Sequence, residues 1–286
     1  MPYGDNNRLL FIKVILTALL ISPVFAKPAG AQLIIKGKVI SKKDKRIAAG
    51  ATISLLKRNR IVITDDAGDF TFRIPFSRSN DSLVISSVGY EELVIAVTDA
   101  LKKNQFELTE RTGILASVIV RSFTTQDVIG TSRESVGYFR NWNIERSGGE
   151  IGRVFSIPYD QYKLDKIRFK VSSLCDTCLI RLHIRKMNNN MPEEDLLKDS
   201  ISLTIRQLTL DDKAPEFDLT PYDITLDKSA FFVGLELVNC KHPGKNDCTF
   251  CFVGTEAGTF IYRSGGNYSW EETDAFAIYM KIFMRH

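Results

Sequence analysis

The stretch Thr64-Asp65-Asp66-Ala67-Gly68-Asp69-Phe70 runs straight into Thr71-Phe72-Arg73-Ile74. Three aspartates crowd one glycine, and then Phe70, Phe72 and Ile74 alternate with polar residues. A period of two puts those three side chains on one face of a strand. The acidic segment has three readings: a calcium loop, a pair of catalytic carboxylates, or a turn. A calcium loop needs oxygen ligands at alternating positions and a glutamate at its twelfth position. Here the acids do not alternate, and Phe76 stands where the glutamate would be. Acid–base carboxylates need a pocket, whereas these lie between two short apolar runs, 60–64 and 69–74. A turn accounts for every residue type, because Gly68 tolerates positive φ and aspartate side chains bond nearby backbone N–H groups. The stretch reads as the turn of a hairpin, with Phe70 returning to the core.

Runs of the same kind occupy 33–40, 51–56, 82–87, 92–97, 105–108 and 117–120, with a short helical turn expected at 99–103. They are rich in β-branched and aromatic residues and bounded by turn formers, which argues for a sandwich of antiparallel sheets. From 122 to 148 the alternation fades, so that segment reads as a linker. Beyond 149 it returns at 166–171, 178–187, 201–205, 215–219, 231–238, 249–254, 259–263 and 275–284, a density suited to a jelly-roll-like sandwich. In 178–187, Ile180, Leu182 and Ile184 face inward, and Arg181, His183 and Arg185 face solvent. The fold class is all-β, with domains at 32–121 and 149–286.

Residues 1–31 read as a secretory signal. Arg8 and Lys13 precede the apolar run 14–26, and cleavage is expected after Ala31. The run is too short to span a bilayer as a helix. The chain carries a formal net charge of +4. Removing Arg8, Lys13, Lys27 and Asp5 leaves +2, a near balance that argues against nucleic acid as a partner. The hydrophobic fraction of 44% fits a globular core.

Four short motifs occur in order: Gly37-Lys38-Val39, Gly50-Ala51-Thr52-Ile53, Thr64-Asp65-Asp66-Ala67-Gly68-Asp69-Phe70 and Ser87-Val88-Gly89-Tyr90. Together they resemble the carboxypeptidase regulatory-like domain. The resemblance implies a transthyretin-like seven-stranded sandwich over about residues 34–121. It also implies a Gram-negative envelope context, since such domains precede TonB-dependent outer-membrane receptors as well as accompanying zinc carboxypeptidases. Residues 122–286 are too few for a receptor plug and barrel. The zinc motif is absent, because Lys186 and Lys245 stand three residues after His183 and His242. Short motifs in the second half resemble the second module of stand-alone envelope proteins that carry this domain.

Cys175, Cys178, Cys240, Cys248 and Cys251 form two CxxC pairs and one single residue. Zinc needs four converging thiolates, and a redox pair needs a helix N-terminus to lower its pKa. In an exported protein disulfides are the default. Cys240–Cys248 and Cys175–Cys178 are the favoured pairs and Cys251 the odd thiol, with a pairing of Cys251 to Cys175 or Cys178 left open. No nucleophile–base or metal-ligand spacing is visible, so no catalytic residue, metal or cofactor is assigned. The expectation is a non-enzymatic protein of the periplasm or outer membrane that binds or scaffolds other envelope proteins. The alternative is a glycan- or peptidoglycan-binding module linked to polysaccharide uptake, with Tyr262, Tyr268 and Trp270 as candidate ligand residues. After signal cleavage no transmembrane segment is expected.

Overall fold

The computed structural model describes residues 32–56, 61–111, 122–131, 139–143, 148–241, 249–255, 258–265 and 268–286. The signal segment, the run 117–120 and Cys248 lie outside the described residues. Among the described residues, no helix is long and apolar enough to cross a membrane.

The first unit holds β1 (Gln32–Ser41), β2 (Thr52–Leu55), β3 (Ile61–Ile63), β4 (Asp69–Pro75), β5 (Ser82–Ser86), β6 (Leu93–Ala96) and β7 (Gln105–Leu108), with helix α1 (Val97–Ala100) before β7. One sheet has the order β4-β1-β7 and the other β3-β2-β5-β6. These seven strands bury one core between them, and Phe72, Ile74, Ile53 and Leu83 are fully enclosed. Each such side chain removed from water contributes about 1.5–3 kcal/mol. The expected alternation in β4 holds, with Phe70, Phe72 and Ile74 inward and their neighbours exposed.

The turn before β4 also forms as its residues suggest. Asp65 Oδ1 accepts hydrogen bonds from the N–H groups of Ala67 at 3.0 Å and Asp69 at 2.9 Å. Gly68 sits at φ +76°, a backbone region that residues with a Cβ enter at a cost. It is not the turn of a hairpin, however. β3 and β4 belong to different sheets, so the segment arches from one layer of the sandwich to the other. The residues at both its ends are buried: Thr64 bonds the backbone of Ala48 and Ala51 through its hydroxyl, and Phe70 enters the core.

The second unit contains β8 (Gln126–Gly130), β9 (Phe139–Asn143), β10 (Glu150–Phe155), β11 (Gln161–Phe169), β12 (Val171–Asn188), β13 (Met191–Asp195) and β14 (Ser202–Leu208). It continues with β15 (Glu216–Asp218), β16 (Thr225–Asp227), β17 (Phe231–Lys241), β18 (Thr249–Val253), β19 (Phe260–Arg263), β20 (Glu271–Thr273) and β21 (Met280–Arg285). A nine-stranded antiparallel sheet runs β20-β19-β10-β17-β12-β18-β9, with β13 and β14 also pairing with β12. A five-stranded sheet runs β15-β11-β21-β8, with β16 on β11. Their facing sides share one large core that includes Leu164, Phe169, Ile180, Leu182, Phe250 and Ile282.

The segment read as a linker, 122–148, supplies β8 to the five-stranded sheet and β9 to the nine-stranded one. Its polar composition hid this. β8 is an edge strand with exposed alternate residues, while in β9 Trp142 is fully buried beside exposed Asn141.

The two units are in contact. Val88, on the loop after β5, is buried in the core of the second unit. Gly89, at φ +83°, lies so close to the backbone carbonyl of Lys198 that a Cβ there would collide with it. Glycine is therefore required twice over, for its φ and for the approach.

Candidate interdomain polar site

Sheet register brings charged residues of four strands into one row. Arg263 on β19 faces Glu150 on β10, Glu150 faces Glu236 on β17, and Glu236 faces Arg181 on β12. Two residues further along β12, His183 stands opposite Gly234, whose missing Cβ leaves room for the Glu150 carboxylate and the Phe232 ring. All of these side chains project from the face of the sheet opposite the large core. Alternation in β12 holds, because Ile180, Leu182 and Ile184 point into that core. The expectation that Arg181, His183 and Arg185 face solvent does not hold. They are 4%, 5% and 8% exposed. The first unit covers them, with Arg181 Nη2 donating to the Gly50 carbonyl at 2.5 Å.

Burying this many charges costs several kcal/mol per ion unless each is paired, and here they are. Arg185 holds Glu150 through a two-pronged contact, Nε to Oε1 at 2.9 Å and Nη2 to Oε2 at 2.9 Å. Arg263 Nη2 donates to Glu150 Oε2 at 2.9 Å. Arg181 Nη1 donates to Glu236 Oε2 at 3.2 Å. His183 lies between two carboxylates, with Nδ1 2.5 Å from Asp195 Oδ2 and Nε2 2.9 Å from Glu236 Oε2. Asp195 Oδ1 accepts from the Leu197 N–H at 3.1 Å, which fixes the carboxylate.

The charge states follow from this pairing. Burial would neutralise His183, but Glu150 and Asp195 outweigh burial and the repulsion of Arg185, raising its pKa to about 8. Burial would raise Glu236, yet Arg181 and His183 hold it down at about 2. Burial also works against Glu150, and Arg185, His183 and Arg263 keep it well below the usual carboxylate range. At neutral pH this favours the imidazolium, which can donate from both nitrogens to the two carboxylates.

A cleft of about 60 Å³ opens beside this network, between the two units. Ser86, Ser87, Tyr90 and Arg111 of the first unit line it, together with Arg181 and His183 of the second. Serine, histidine and aspartate side by side raise the question of a nucleophilic relay. Such a relay needs a basic ring nitrogen facing the hydroxyl, and in His183 both nitrogens are already engaged by carboxylates.

Residues 35–120 match the family model of the CarboxypepD_reg-like domain. This part of the chain is a CarboxypepD_reg-like domain. It is the covering partner of the network, and its Gly50 and its Ser87-Val88-Gly89-Tyr90 loop make the contacts. No curated protein matches the chain. Among solved structures, the clostridial cysteine protease Cwp84 after propeptide cleavage has 10% identity and a TM-score of 0.40 over 87% of this chain and 70% of that one. The cysteine protease and lectin-like domains of Cwp84 from Clostridium difficile give 11% identity and 0.37 over 83% and 59%. The infectious bursal disease virus Gt strain structure gives 7% identity and 0.31 over 89% and 64%. Likenesses this remote carry no weight for fold or activity.

Beyond the CarboxypepD_reg-like domain, the proposed aromatic ligand residues Tyr262, Tyr268 and Trp270 are all half-buried. Tyr262 meets Trp142 edge-on, lies 4.8 Å from the Arg140 guanidinium and donates to Glu271 Oε2 at 2.6 Å. Trp270 carries the Arg263 guanidinium 4.4 Å over its ring and packs edge-on against Phe232. It thereby extends the ionic network. Tyr268 is half-buried, and its N–H donates to the Gly265 carbonyl.

Among the cysteines, Cys178 and Cys240 form a disulfide. This overturns the favoured Cys175–Cys178 and Cys240–Cys248 pairs. The two residues face each other directly on β12 and β17, so the cross-strand partner is nearer than the sequence neighbour. Cys175 is also disulfide-bonded, and its sulfur lies within 4.8 Å of those of Cys178 and Cys240. The bonds remove the thiolates a metal would need. Cys251 is a free thiol and donates to Asn141 Oδ1 at 2.9 Å.

Sequence reasoning missed Glu150, Asp195, Glu236 and Arg263. Each looks like an ordinary polar residue of a strand. A signal was present in the charged residues flanked by small or apolar ones, as in Gly149-Glu150-Ile151-Gly152 and Gly234-Leu235-Glu236-Leu237. A carboxylate there has to find a cation.

Proposed function

We propose that the protein is an exported, non-catalytic binding or scaffolding component of the Gram-negative envelope, at the periplasm or outer membrane. The observation that carries the non-catalytic reading is His183 held between Asp195 and Glu236. An imidazolium with both N–H groups committed has no lone pair for general base work. The buried network then serves to fix the two units against each other. Export is supported by the leader-like composition of residues 1–31 and by the Cys178–Cys240 disulfide, a bond at home in oxidising compartments. Two sandwiches joined through a buried ionic network suit presentation of a surface to another envelope protein.

Two measurements test this. Nitrogen NMR of the imidazoles at neutral pH should show His183 protonated at both positions, and a neutral ring would remove the basis of the reading. Gentle purification of the tagged protein from native envelopes should retain a stoichiometric outer-membrane or periplasmic partner. Recovery as a bare monomer under those conditions would count against scaffolding.

A further inference from the structure

We infer that the cleft between the two units is a binding site for a carboxylate group, with Arg111, Ser86 and Ser87 as its contacting residues. The inference rests on the non-catalytic binding reading and names the chemistry that would be bound.

Three observations carry it. The first is charge. Arg111, Arg181, His183, Arg185 and Arg263 line the cleft, against the carboxylates of Glu92, Asp195 and Glu236. Glu150, behind the lining, adds a fourth carboxylate. With His183 charged, one positive charge is left over, which a single carboxylate neutralises.

The second is unused hydrogen-bonding capacity. Among the described residues, the buried carboxylates are all spent on Arg181, His183, Arg185 and Arg263. Arg111 is half-buried, and among the described residues its guanidinium has no ion pair and the hydroxyls of Ser86 and Ser87 have no hydrogen bond. Thr52, 6% exposed and in the same lining, has an Oγ1 with no partner. A guanidinium beside several hydroxyls is a donor set for an oxyanion. Buried polar atoms left unmatched are uncommon in native proteins.

The third is size. About 60 Å³ is room for a few water molecules and too little for a sugar ring. The cleft therefore takes the charged end of a ligand whose remainder lies outside. Such an end belongs either to an acidic sugar or to a peptide C-terminus.

The chain has three histidines, and the His183 ring forms part of the cleft wall, so it reports occupancy directly. The full chain is titrated with sodium glucuronate and separately with N-acetylalanine, with glucose and sodium chloride at matched ionic strength as controls. The His183 imidazole signal should shift saturably with at least one of the two carboxylates, the His286 signal should stay put, and the controls should do nothing. Response to glucuronate alone identifies an acidic sugar, and response to N-acetylalanine alone a peptide terminus. Arg111→Ala should weaken binding at least tenfold with an unchanged circular dichroism spectrum, and Arg111→Lys should restore part of it. No saturable shift with either carboxylate, an equal shift with chloride, or full affinity in Arg111→Ala with Ser87→Ala overturns the inference. Those results leave the scaffolding reading to its own test. Chemical turnover of either probe would instead sink the non-catalytic reading while leaving the site in place.

Discussion

At His183 the chain holds a cation where alternation alone puts a solvated residue. Its folded pKa is raised from 6.5 to about 8, so the interaction stabilises the fold fully below the unfolded value and is lost as pH rises through the folded one. The difference corresponds to roughly 2 kcal/mol. Glu236 has the opposite sign. Its pKa is lowered from 4.5 to about 2, so its contribution is present above 4.5 and lost as pH falls toward 2. Urea unfolding should therefore show stability dropping by roughly 2 kcal/mol between about pH 6 and about pH 9. His183→Gln should flatten that slope. A wild-type profile that stays level across this range would show that His183 is not charged in the folded state. The sequence displayed the alternation of Ile180, Leu182 and Ile184 with Arg181, His183 and Arg185 in plain view. Alternation assigns residues to a face, and it says nothing of what lies on that face. Here it was Gly50 and the Ser87–Tyr90 loop, more than 90 residues earlier in the chain.

At the level of elements, β12 organises the second unit, since β13, β14, β17 and β18 all pair with it. Its bond to β17 through Cys178 and Cys240 closes a loop with a sequence separation of 62 residues. A crosslink over a loop of that length restricts the unfolded chain and contributes about 2–4 kcal/mol. Cys178→Ala with Cys240→Ala should lower the unfolding free energy by about that amount while leaving the far-ultraviolet spectrum of an all-β fold. Unchanged stability would mean that the cross-strand contacts alone hold β12 to β17. Strands with a period-two pattern, such as β4 and the middle of β12, were legible, whereas β8, β9, β10, β13, β16 and β20 were not read from the sequence. Strand partners were not legible either. Whether Cys178 meets Cys175 or Cys240 depends on the register between β12 and β17, which is fixed by packing across the whole sheet. The arch from β3 to β4 was misread for the same reason. Asp65 and Gly68 specify a reversal of the chain but not which sheet receives the next strand.

On the scale of the whole molecule, the second unit begins before its pattern becomes visible. β8 pairs with β21, and β9 pairs with β18. A fragment starting at residue 149 should therefore expose the edges of both sheets and aggregate, whereas one starting at 122 should be more soluble and show a cooperative thermal transition. Equal behaviour of the two fragments, by light scattering and circular dichroism, would show that β8 and β9 are dispensable. Val88 gives the architecture an order in time. The first unit is synthesised first, and domains tend to fold as they emerge. Its loop then holds an apolar side chain outward until a later core closes over it. Until the second unit folds, the newly made first unit thus carries an adhesive spot on its surface, a window in which a chaperone has something to hold.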